Sequence, residues 1–257
     1  MSPIRLVTFD ALYTLITLRY PVHVQYSQVF APYVGVLQPE AIQMSFKEAW
    51  KVIEREDSSN PRGSEEKWRD IIRRTALGAG ANQQALDVSL SEILPRLMER
   101  FSSKEGYKAF DDAIPTIHRL NDELGVRTAV ISNGDFRIRS ALTSLGFPDT
   151  LNSIILSDVE GVEKPSPEIF MKALDAVNAT ISPKKYIQPA ECLHVGDELV
   201  CDYKGATGAG FEALLLRRHG VEGERAHRGQ DEDEDLIGVP VIHNLDAVVD
   251  VVRERPS

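Results

Sequence analysis

Four polar side chains in this sequence are predicted to lie just past the strands of one sheet, where apolar stretches typical of buried strands end. Asp10 follows LeuValThrPhe, Ser132 follows AlaValIle, Asp197 follows LeuHisValGly, and Lys164 lies in GluLysProSerPro. Ligands of open α/β sheets bind at the carboxyl ends of the strands, so these positions are suited to chemistry. Singly, each has an ordinary interpretation: turns at Asp10 and Ser132, and an exposed amine at Lys164. Four such residues along one sheet would be an improbable coincidence.

More acidic and polar residues accompany them. Glu198 and Asp202 follow Asp197, and carboxylates crowded beside one strand end repel one another unless a cation joins them. Hard oxygen ligands of this kind suit Mg²⁺. Asn133 and Gly134 follow Ser132, and a hydroxyl beside backbone N–H groups at a helix start favours an anion site.

The chain between the first two strands is predicted to be entirely helical. Apolar residues recur at helical spacing over residues 21–34, 39–56, 65–77 and 83–101. Four successive helices with no strand signal between them indicate an inserted all-helical subdomain. Its aromatic residues Tyr26, Phe46, Trp50 and Trp68 are predicted to pack inside that subdomain.

The rest of the chain alternates between strands and helices. Strands are predicted at 127–131, 153–156, 192–195, 212–216 and 239–242, and helices at 112–124, 136–145, 167–177, 203–208 and 245–254. Ser166 is the expected cap of the helix that begins at Pro167. The fold class is therefore α/β, a doubly wound parallel sheet made from residues 1–16 and 106–257. Residues 17–105 form the inserted all-helical domain.

Composition limits the class of protein and its partners. The chain has 257 residues, 42% of them hydrophobic, which is typical of a globular protein. Its net charge of −10 disfavours nucleic acid or an anionic membrane as a partner. The acidic run at 231–235 is predicted to be a solvated loop, and Cys192 and Cys201 to be free thiols. The sequence shows no membrane-length apolar run and no room for a signal peptide, so a cytoplasmic location is expected.

The ordered set of motifs resembles the haloacid dehalogenase superfamily of hydrolases. Its four motifs stand here as PheAspAlaLeuTyrThrLeu, IleSerAsnGly, LysProSerProGluIlePhe and ValGlyAspGluLeuValCysAsp. The resemblance spans nearly the whole chain, because the helical insertion lies where that superfamily places a C1-type cap. The segments AspTyrLysGlyAla and LeuArgTyrPro are most similar to one eukaryotic group within it.

The resemblance implies a role for each residue. Asp10 would be a carboxylate nucleophile that forms a covalent intermediate, and Lys164 would neutralise charge on Asp10 and the substrate. The implied substrate-binding residues are Thr14, Ser132, Asn133 and Lys164. The implied Mg²⁺ ligands are Asp10, the backbone carbonyl of Leu12, and Asp197, with Glu198 or Asp202 acting through water or holding the loop. The implied partner is a small phosphorylated molecule; the sequence determines neither its identity nor the oligomeric state.

One departure from the superfamily pattern bears directly on activity. Phosphatases of this superfamily carry a second aspartate two residues after the nucleophile, and here that position is Leu12. Loss of a general acid/base costs about 10²- to 10⁴-fold in rate, so a weak phosphatase is predicted. Asp135, Glu198 and Tyr13 are candidate substitutes for the missing acid. Tyr13 also replaces a glycine usual in the family, which is expected to narrow the entrance to the site.

Two other functions remain open at this stage. A 2-haloacid dehalogenase also lacks the second aspartate, but it has no use for the Gly196-Asp197 pair, and Arg19 and Arg62 are poor matches for its halide-binding arginine. A non-catalytic binding or scaffold protein on the same fold is the second alternative. His194 lies within a predicted strand, so it is interpreted as a hydrogen-bonded core histidine.

Overall fold

The computed structural model describes residues 2–59, 63–151, 153–221, 223 and 234–255. The chain forms two compact units: a core unit, Met1–Thr17 with Lys108–Ser257, and a helical unit, Leu18–Tyr107. The sequence predicts the corresponding divisions at 16/17 and 105/106, one and two residues earlier than these. No helix in the described part of the chain is both long enough and apolar enough to cross a lipid bilayer.

The helical unit consists mainly of the helices that the apolar spacing predicts. They are α1 (Val22–Val34), α2 (Pro39–Ser59), α3 (Ser64–Gly78) and α4 (Gln83–Arg100), and the Asn82 side chain caps α4 by accepting from the Ala85 amide. The Tyr26 ring is buried and packs edge-on against Phe30 and Phe46. Trp50 and Trp68 also pack against each other. Of the four aromatic residues predicted to pack inside this unit, Tyr26 is buried, whereas Phe46, Trp50 and Trp68 stay partly exposed.

A parallel sheet forms the centre of the core unit. The strands are β1 (Leu6–Phe9), β2 (Ile16–Leu18), β3 (Tyr107–Ala109), β4 (Arg127–Ser132), β5 (Ser153–Leu156), β6 (Cys192–Gly196), β7 (Glu212–Leu216) and β8 (Val241–Ile242). Among the described residues, six of them form one sheet in the order β5-β4-β1-β6-β7-β8, and β2 pairs with β3 separately. Every pairing in the larger sheet is parallel.

Strand β1 lies inside this sheet, between β4 and β6. Phe9 is in register with Val130 on one side and Val195 on the other. Each residue of β1 is buried, which accounts for an apolar run without alternation. The segments that follow β1, β4 and β6 therefore leave the sheet side by side at its carboxyl edge.

Helices connect these strands. They are α5 (Ala113–His118), α6 (Arg137–Ser144), α7 (Ser157–Glu160), α8 (Pro167–Asn178), α9 (Gly205–Gly208) and α10 (Asp246–Arg253), with π-helical turns at Arg119–Glu123 and Leu199–Lys204. The Ser166 hydroxyl accepts from the Glu168 amide and caps α8, as predicted. The prediction of an α/β fold with a parallel sheet and an inserted helical part is confirmed.

Three features of the fold differ from the sequence prediction. Strands β2 and β3 were missed, because each has three residues and its partner lies across the whole helical insertion, beyond the reach of local periodicity. Helix α7 was also missed, and as a result Lys164 does not directly follow a strand but lies between α7 and α8. Cys192 and Cys201 are free thiols, as predicted.

The acidic run at 231–235 lies partly outside the described residues. Of its members the structure describes Glu234 and Asp235. Glu234 is not a solvated side chain, since its carboxylate is paired with Arg217 and is 18% exposed. Arg62, one of the two candidate halide-binding arginines, also lies outside the described residues.

Phe170 on α8 is the aromatic centre of the core unit. Its side chain is fully buried, and its ring packs edge-on against the rings of His194 and Phe211, with centroids 5.1 Å and 5.9 Å apart.

We expect Phe170→Ala to lower the free energy of unfolding by about 3–5 kcal/mol, because buried contacts are lost and a cavity remains. Urea denaturation followed by circular dichroism measures this. Phe136→Ala, at a side chain that is 48% exposed, is the control and should cost less than about 1 kcal/mol. Equal losses would contradict this account of the core.

Candidate active site

The carboxyl edge of the sheet brings three of the predicted residues together. Asp10 directly follows β1, Ser132 is the last residue of β4, and Asp197 directly follows β6. The Asp10 amide donates to the Val195 carbonyl at 2.9 Å, so the sheet ladder extends to the first catalytic candidate. All three side chains are buried. Neighbouring parallel strands thus place these side chains at one edge.

Lys164 binds two carboxylates at this edge. Its Nζ donates to Asp10 Oδ1 at 2.5 Å and to Asp202 Oδ1 at 2.7 Å. The Lys164 side chain is 3% exposed, so it is a buried ion pair rather than a surface amine. Removing one member of such a pair leaves an uncompensated buried charge, so the three groups are held as a unit.

Asn133 holds Lys164 through its backbone. The Asn133 Nδ2 donates to the Lys164 carbonyl at 2.8 Å, and the Lys164 amide donates to Asn133 Oδ1 at 2.7 Å. Both ends of the amide are therefore used to fix the segment that carries the lysine. The predicted substrate-binding role of Asn133 remains a prediction; the observed contacts make it a positioning residue.

Asp202 is fixed on both of its oxygens. Oδ1 binds Lys164 and lies 3.1 Å from His194 Nε2, while Oδ2 accepts from the Glu198 amide at 2.9 Å. His194 Nδ1 lies 2.8 Å from the Thr8 hydroxyl. An ionised carboxylate only accepts, so Nε2 carries the proton and the Thr8 hydroxyl donates to Nδ1. The prediction that His194 is a hydrogen-bonded core residue is confirmed, and His194 also orients Asp202.

Asp197 completes an acidic cluster. One ligand oxygen from each of Asp10, Asp197 and Asp202 lies within 4.8 Å of the others. The Thr14 hydroxyl donates to Asp197 Oδ1 at 3.4 Å, and Thr14 is fully buried. Thr14 therefore contacts the acidic loop after β6, a contact that the sequence did not predict.

The electrostatics of the cluster follow from burial and like charge. Burial raises the pKa of Asp10 to about 7, with Lys164 opposing the shift. Burial and the carboxylates of Asp10, Asp202 and Glu198 hold the pKa of Asp197 well above its usual range. The Lys164 ammonium lowers the pKa of Asp202 despite its burial, and the two carboxylates beside Lys164 raise the pKa of that amine.

This donor set fits a hard divalent cation. With all groups ionised, the three buried carboxylates and the Lys164 ammonium leave two negative charges uncompensated. The raised pKa of Asp197 is the effect expected of burial and of crowded carboxylates in the absence of a cation. Since both Asp202 oxygens are already hydrogen-bonded, Asp10 and Asp197 are the carboxylates suited to hold the cation, and oxygen ligands are those that Mg²⁺ prefers.

The candidate replacements for the second aspartate have other contacts. Asp135 forms a bidentate ion pair with Arg137 at 2.8–3.1 Å. Glu198 is exposed, and its backbone amide donates a hydrogen bond to the Asp202 carboxylate. Tyr13 has a φ of 65°, in the left-handed region, which gives a backbone reason for the glycine usual at this position. Arg19 donates to the Lys104 carbonyl at 2.5 Å within the helical unit.

The site predicted from the sequence does not include Asp202 or His194 among its catalytic, substrate-binding or metal-binding residues. The sequence predicts that Asp202 acts through water or holds its loop, whereas in the structure it binds Lys164 directly. The glycine before Asp197 was the available signal. A Cβ built on Gly196 would lie 2.1 Å from Asp202 Cγ, so this position needs glycine because Asp202 packs against its backbone.

The site consists of an aspartate at the end of a central parallel strand, a buried lysine paired with it, and a second acidic loop beside them. This arrangement is typical of a hydrolase with an α/β fold. The chain belongs to the haloacid dehalogenase-like hydrolase family, whose model matches residues 4–210. It is 29% identical over 216 residues to haloacid dehalogenase-like hydrolase domain-containing protein 3 of Mus musculus, covering 82% of this chain and 81% of that protein. That protein represents the eukaryotic group to which the sequence motifs are most similar.

Solved structures with the same fold include enzymes of two activities. A 2-haloacid dehalogenase from Pseudomonas syringae aligns with a TM-score of 0.63 at 21% identity, covering 97% of this chain and 98% of that one. A haloacid dehalogenase-type phosphatase from Thermococcus onnurineus aligns with a TM-score of 0.58 at 21% identity, covering 99% and 100%. The fold alone therefore does not distinguish the two activities.

The contact between Gly196 and Asp202 gives a testable prediction. Gly196→Ala should lower the free energy of unfolding by about 1–3 kcal/mol, because Asp202 is held from three directions and cannot yield to the added methyl. Gly208→Ala is the matched control, since its Cβ would meet Pro167 only at 3.7 Å, an ordinary contact. Urea unfolding of both variants measures the difference. Equal stability of the two variants would show that Asp202 does not need this close approach.

Proposed function

We propose that this protein is a Mg²⁺-dependent phosphoric monoester hydrolase that acts on a small phosphorylated metabolite through Asp10. The observation that carries the proposal is the buried Asp10–Lys164 pair beside Asp197, with three carboxylates and one ammonium at one strand edge. With a divalent cation bound, such a cluster would allow a carboxylate to approach a phosphate dianion. The net charge of −10 favours a small molecule over nucleic acid or a membrane as partner, and the free thiols are compatible with the cytoplasm that we propose as its location.

The reaction would have two displacements at phosphorus. In the first, a carboxylate oxygen of Asp10 forms a bond to phosphorus while the ester bond breaks, and the leaving oxygen departs with the electron pair. In the second, water attacks the aspartyl phosphate, which releases phosphate and restores the carboxylate. Lys164 neutralises Asp10 and the equatorial phosphate oxygens, and the Ser132 hydroxyl and neighbouring amides would bind those oxygens.

Asp10 and Asp197 would hold the Mg²⁺, together with the carbonyl of Leu12. Bound there, the ion offsets the repulsion between carboxylate and phosphate. Asp202 would keep Lys164 in place, because its two oxygens are bonded to Lys164 and to the Glu198 amide. Thr14 would keep Asp197 oriented through its hydroxyl.

Leu12 limits the substrates to those with a good leaving group. A leucine cannot protonate the leaving oxygen, and the Asp135 carboxylate is occupied by Arg137. The aryloxide of an aryl phosphate or the carboxylate of an acyl phosphate can leave without a proton, whereas the alkoxide of an alkyl phosphate needs one. The proposed activity is therefore weak on alkyl phosphates and stronger on activated esters.

The two alternative functions differ from the phosphatase in whether they need Asp10 and a cation. A 2-haloacid dehalogenase would use Asp10 but would need no cation, and for it the buried Asp197 carries only an electrostatic cost. A binding or scaffold protein would need neither Asp10 nor the cation. The crowding of Asp197 with two other carboxylates favours the phosphatase over both.

Asp10→Asn tests the nucleophile. With p-nitrophenyl phosphate and Mg²⁺, its rate should fall by about 10³-fold or more, since an amide oxygen is a poor nucleophile. Asp250→Asn, the same exchange at an exposed position on α10, should keep the wild-type rate. Phosphate release with and without a chelator, and halide release from a 2-haloacid with a chelator, are measured in parallel. Halide release without metal would favour the dehalogenase, and absence of both activities would favour the binding protein.

Leu12→Asp tests the missing acid. We expect it to raise kcat for an alkyl phosphate by about 10²-fold or more, with a smaller gain for p-nitrophenyl phosphate, whose leaving group needs no proton. Leu12→Asn, of the same size and polarity but unable to exchange a proton, is the control. A comparable gain in the asparagine variant would mean that proton transfer is not what position 12 lacks.

A further inference from the structure

Two consecutive arginines, Arg217 and Arg218, follow strand β7 and lie outside the set of residues discussed so far as catalytic or cation-binding. Strand β7 pairs with β6, whereas β1 lies on the far side of β6. The two side chains are largely buried, at 13% and 12% exposure. A pair of arginines is costly to bury unless each finds partners, so their contacts show what the pair does.

Arg217 holds the loop that carries Asp197. Its Nη1 donates to the backbone carbonyl of Asp197, and its Nη2 is paired with the carboxylate of Glu234. The backbone of Arg217 is fixed as well, since its amide donates to the Ile242 carbonyl at 2.8 Å and its carbonyl lies 2.8 Å from His243 Nδ1. The guanidinium therefore connects the loop after β6 to Glu234, from a position where the backbone of Arg217 is itself hydrogen-bonded.

Arg218 holds the loop that carries Asp10, Leu12 and Thr14. Its Nη2 donates to the Thr14 carbonyl at 2.9 Å. The same guanidinium forms a two-pronged pair with Asp112 at 2.8 Å and 2.9 Å and lies over the Phe110 ring, 3.8 Å from its centroid. This side chain therefore reaches past β6 to the loop after β1.

The contacts close into a ring. Arg217 binds the Asp197 carbonyl, the Asp197 carboxylate accepts from the Thr14 hydroxyl, and the Thr14 carbonyl accepts from Arg218. Arg217 and Arg218 are consecutive residues, so the peptide bond between them completes the ring. We infer that Arg217 and Arg218 are positioning residues that hold the Asp10–Thr14 loop and the Asp197 loop at a fixed separation. The statement that these two loops bind the cation rests on the proposed function. The statement that the arginines hold the loops rests only on the contacts described above.

The charges of the two arginines suit this role. Each guanidinium is matched by a carboxylate, Glu234 for Arg217 and Asp112 for Arg218. The pairs therefore add no net positive charge beside Asp10 and Asp197, and they can hold the loops without repelling a cation. Partners that orient the ligands of a metal commonly change metal affinity by about 10- to 100-fold when they are removed.

The test uses Arg217→Met and Arg218→Met in the full chain, with hydrogen exchange read by mass spectrometry. The Leu15 and Ile16 amides both bond the Ala11 carbonyl, and the Asp202 and Tyr203 amides both bond the Glu198 carbonyl. In Arg218→Met the first pair should exchange about 10-fold faster, and in Arg217→Met the second pair should. This readout needs neither metal nor activity.

Arg5→Met is the matched control. Arg5 also binds two carbonyls and a carboxylate, those of Lys185, Tyr186 and Glu191, but it precedes β1 and so lies at the opposite edge of the sheet. It should leave exchange in both loops unchanged. If the methionine variants do not fold, the same exchange measurement is made on Arg217→Lys and Arg218→Lys. A lysine keeps the positive charge but cannot bond both partners of the arginine. Wild-type exchange in both loops of every folded variant would overturn the inference.

A second readout connects the anchors to the proposed function. Titration with Mn²⁺, followed by electron paramagnetic resonance, should give about 10-fold weaker binding in Arg217→Met and Arg218→Met, and wild-type binding in Arg5→Met. If the first two variants bind Mn²⁺ with wild-type affinity, the arginines hold the loops but do not affect cation binding, and that part of the inference is wrong. If the wild-type protein binds neither Mn²⁺ nor Mg²⁺, the proposed function fails, and the exchange rates alone decide whether the arginines hold the loops.

Discussion

Repulsion among buried carboxylates is the constraint on which the core unit depends. Asp10, Asp197 and Asp202 lie close enough to share one cation, and among the described residues it is the Lys164 ammonium that bonds two of them directly. A single ammonium cannot offset three negative charges, so the raised pKa of Asp197 is the expected response of the protein without a cation. A cluster of this kind is stable only if the surrounding backbone does not allow the acids to separate.

Much of the surrounding structure serves that requirement. The parallel register of β1 with β4 and β6 sets the spacing of the loops, and Asn133 fixes the backbone of Lys164. Gly196 lets Asp202 approach so closely that a methyl group would not fit. His194, buried in β6 and bonded to Thr8, restrains the same carboxylate from the interior of the sheet. Each of these residues acts on an acid or its partner rather than on a substrate.

For the proposed reaction, Asp10 and Lys164 supply a nucleophile and a neutralising ammonium, but Leu12 cannot transfer a proton. Of the replacements that the sequence suggests, Asp135 is paired with Arg137. Reactivity would therefore depend on the leaving group, so the proposed chemistry is selective even before the helical unit is considered.

The sequence by itself determined the α/β class, the helices of the insertion, and the approximate positions of Asp10, Ser132 and Asp197, because apolar periodicity and strand ends are local properties. It could not determine the pairing of β2 with β3, the short helix before Lys164, the bond from Asp202 to Lys164, or the contacts of Arg217 and Arg218. The strand pairing and the contacts of Asp202, Arg217 and Arg218 join residues that are distant along the chain, and local patterns carry no information about which distant groups meet. The four residues of the short helix are too few to show an apolar period. Only the order of strands in the sheet, with β1 between β4 and β6 and β7 beyond, decided that acids and anchors from separate segments share one edge.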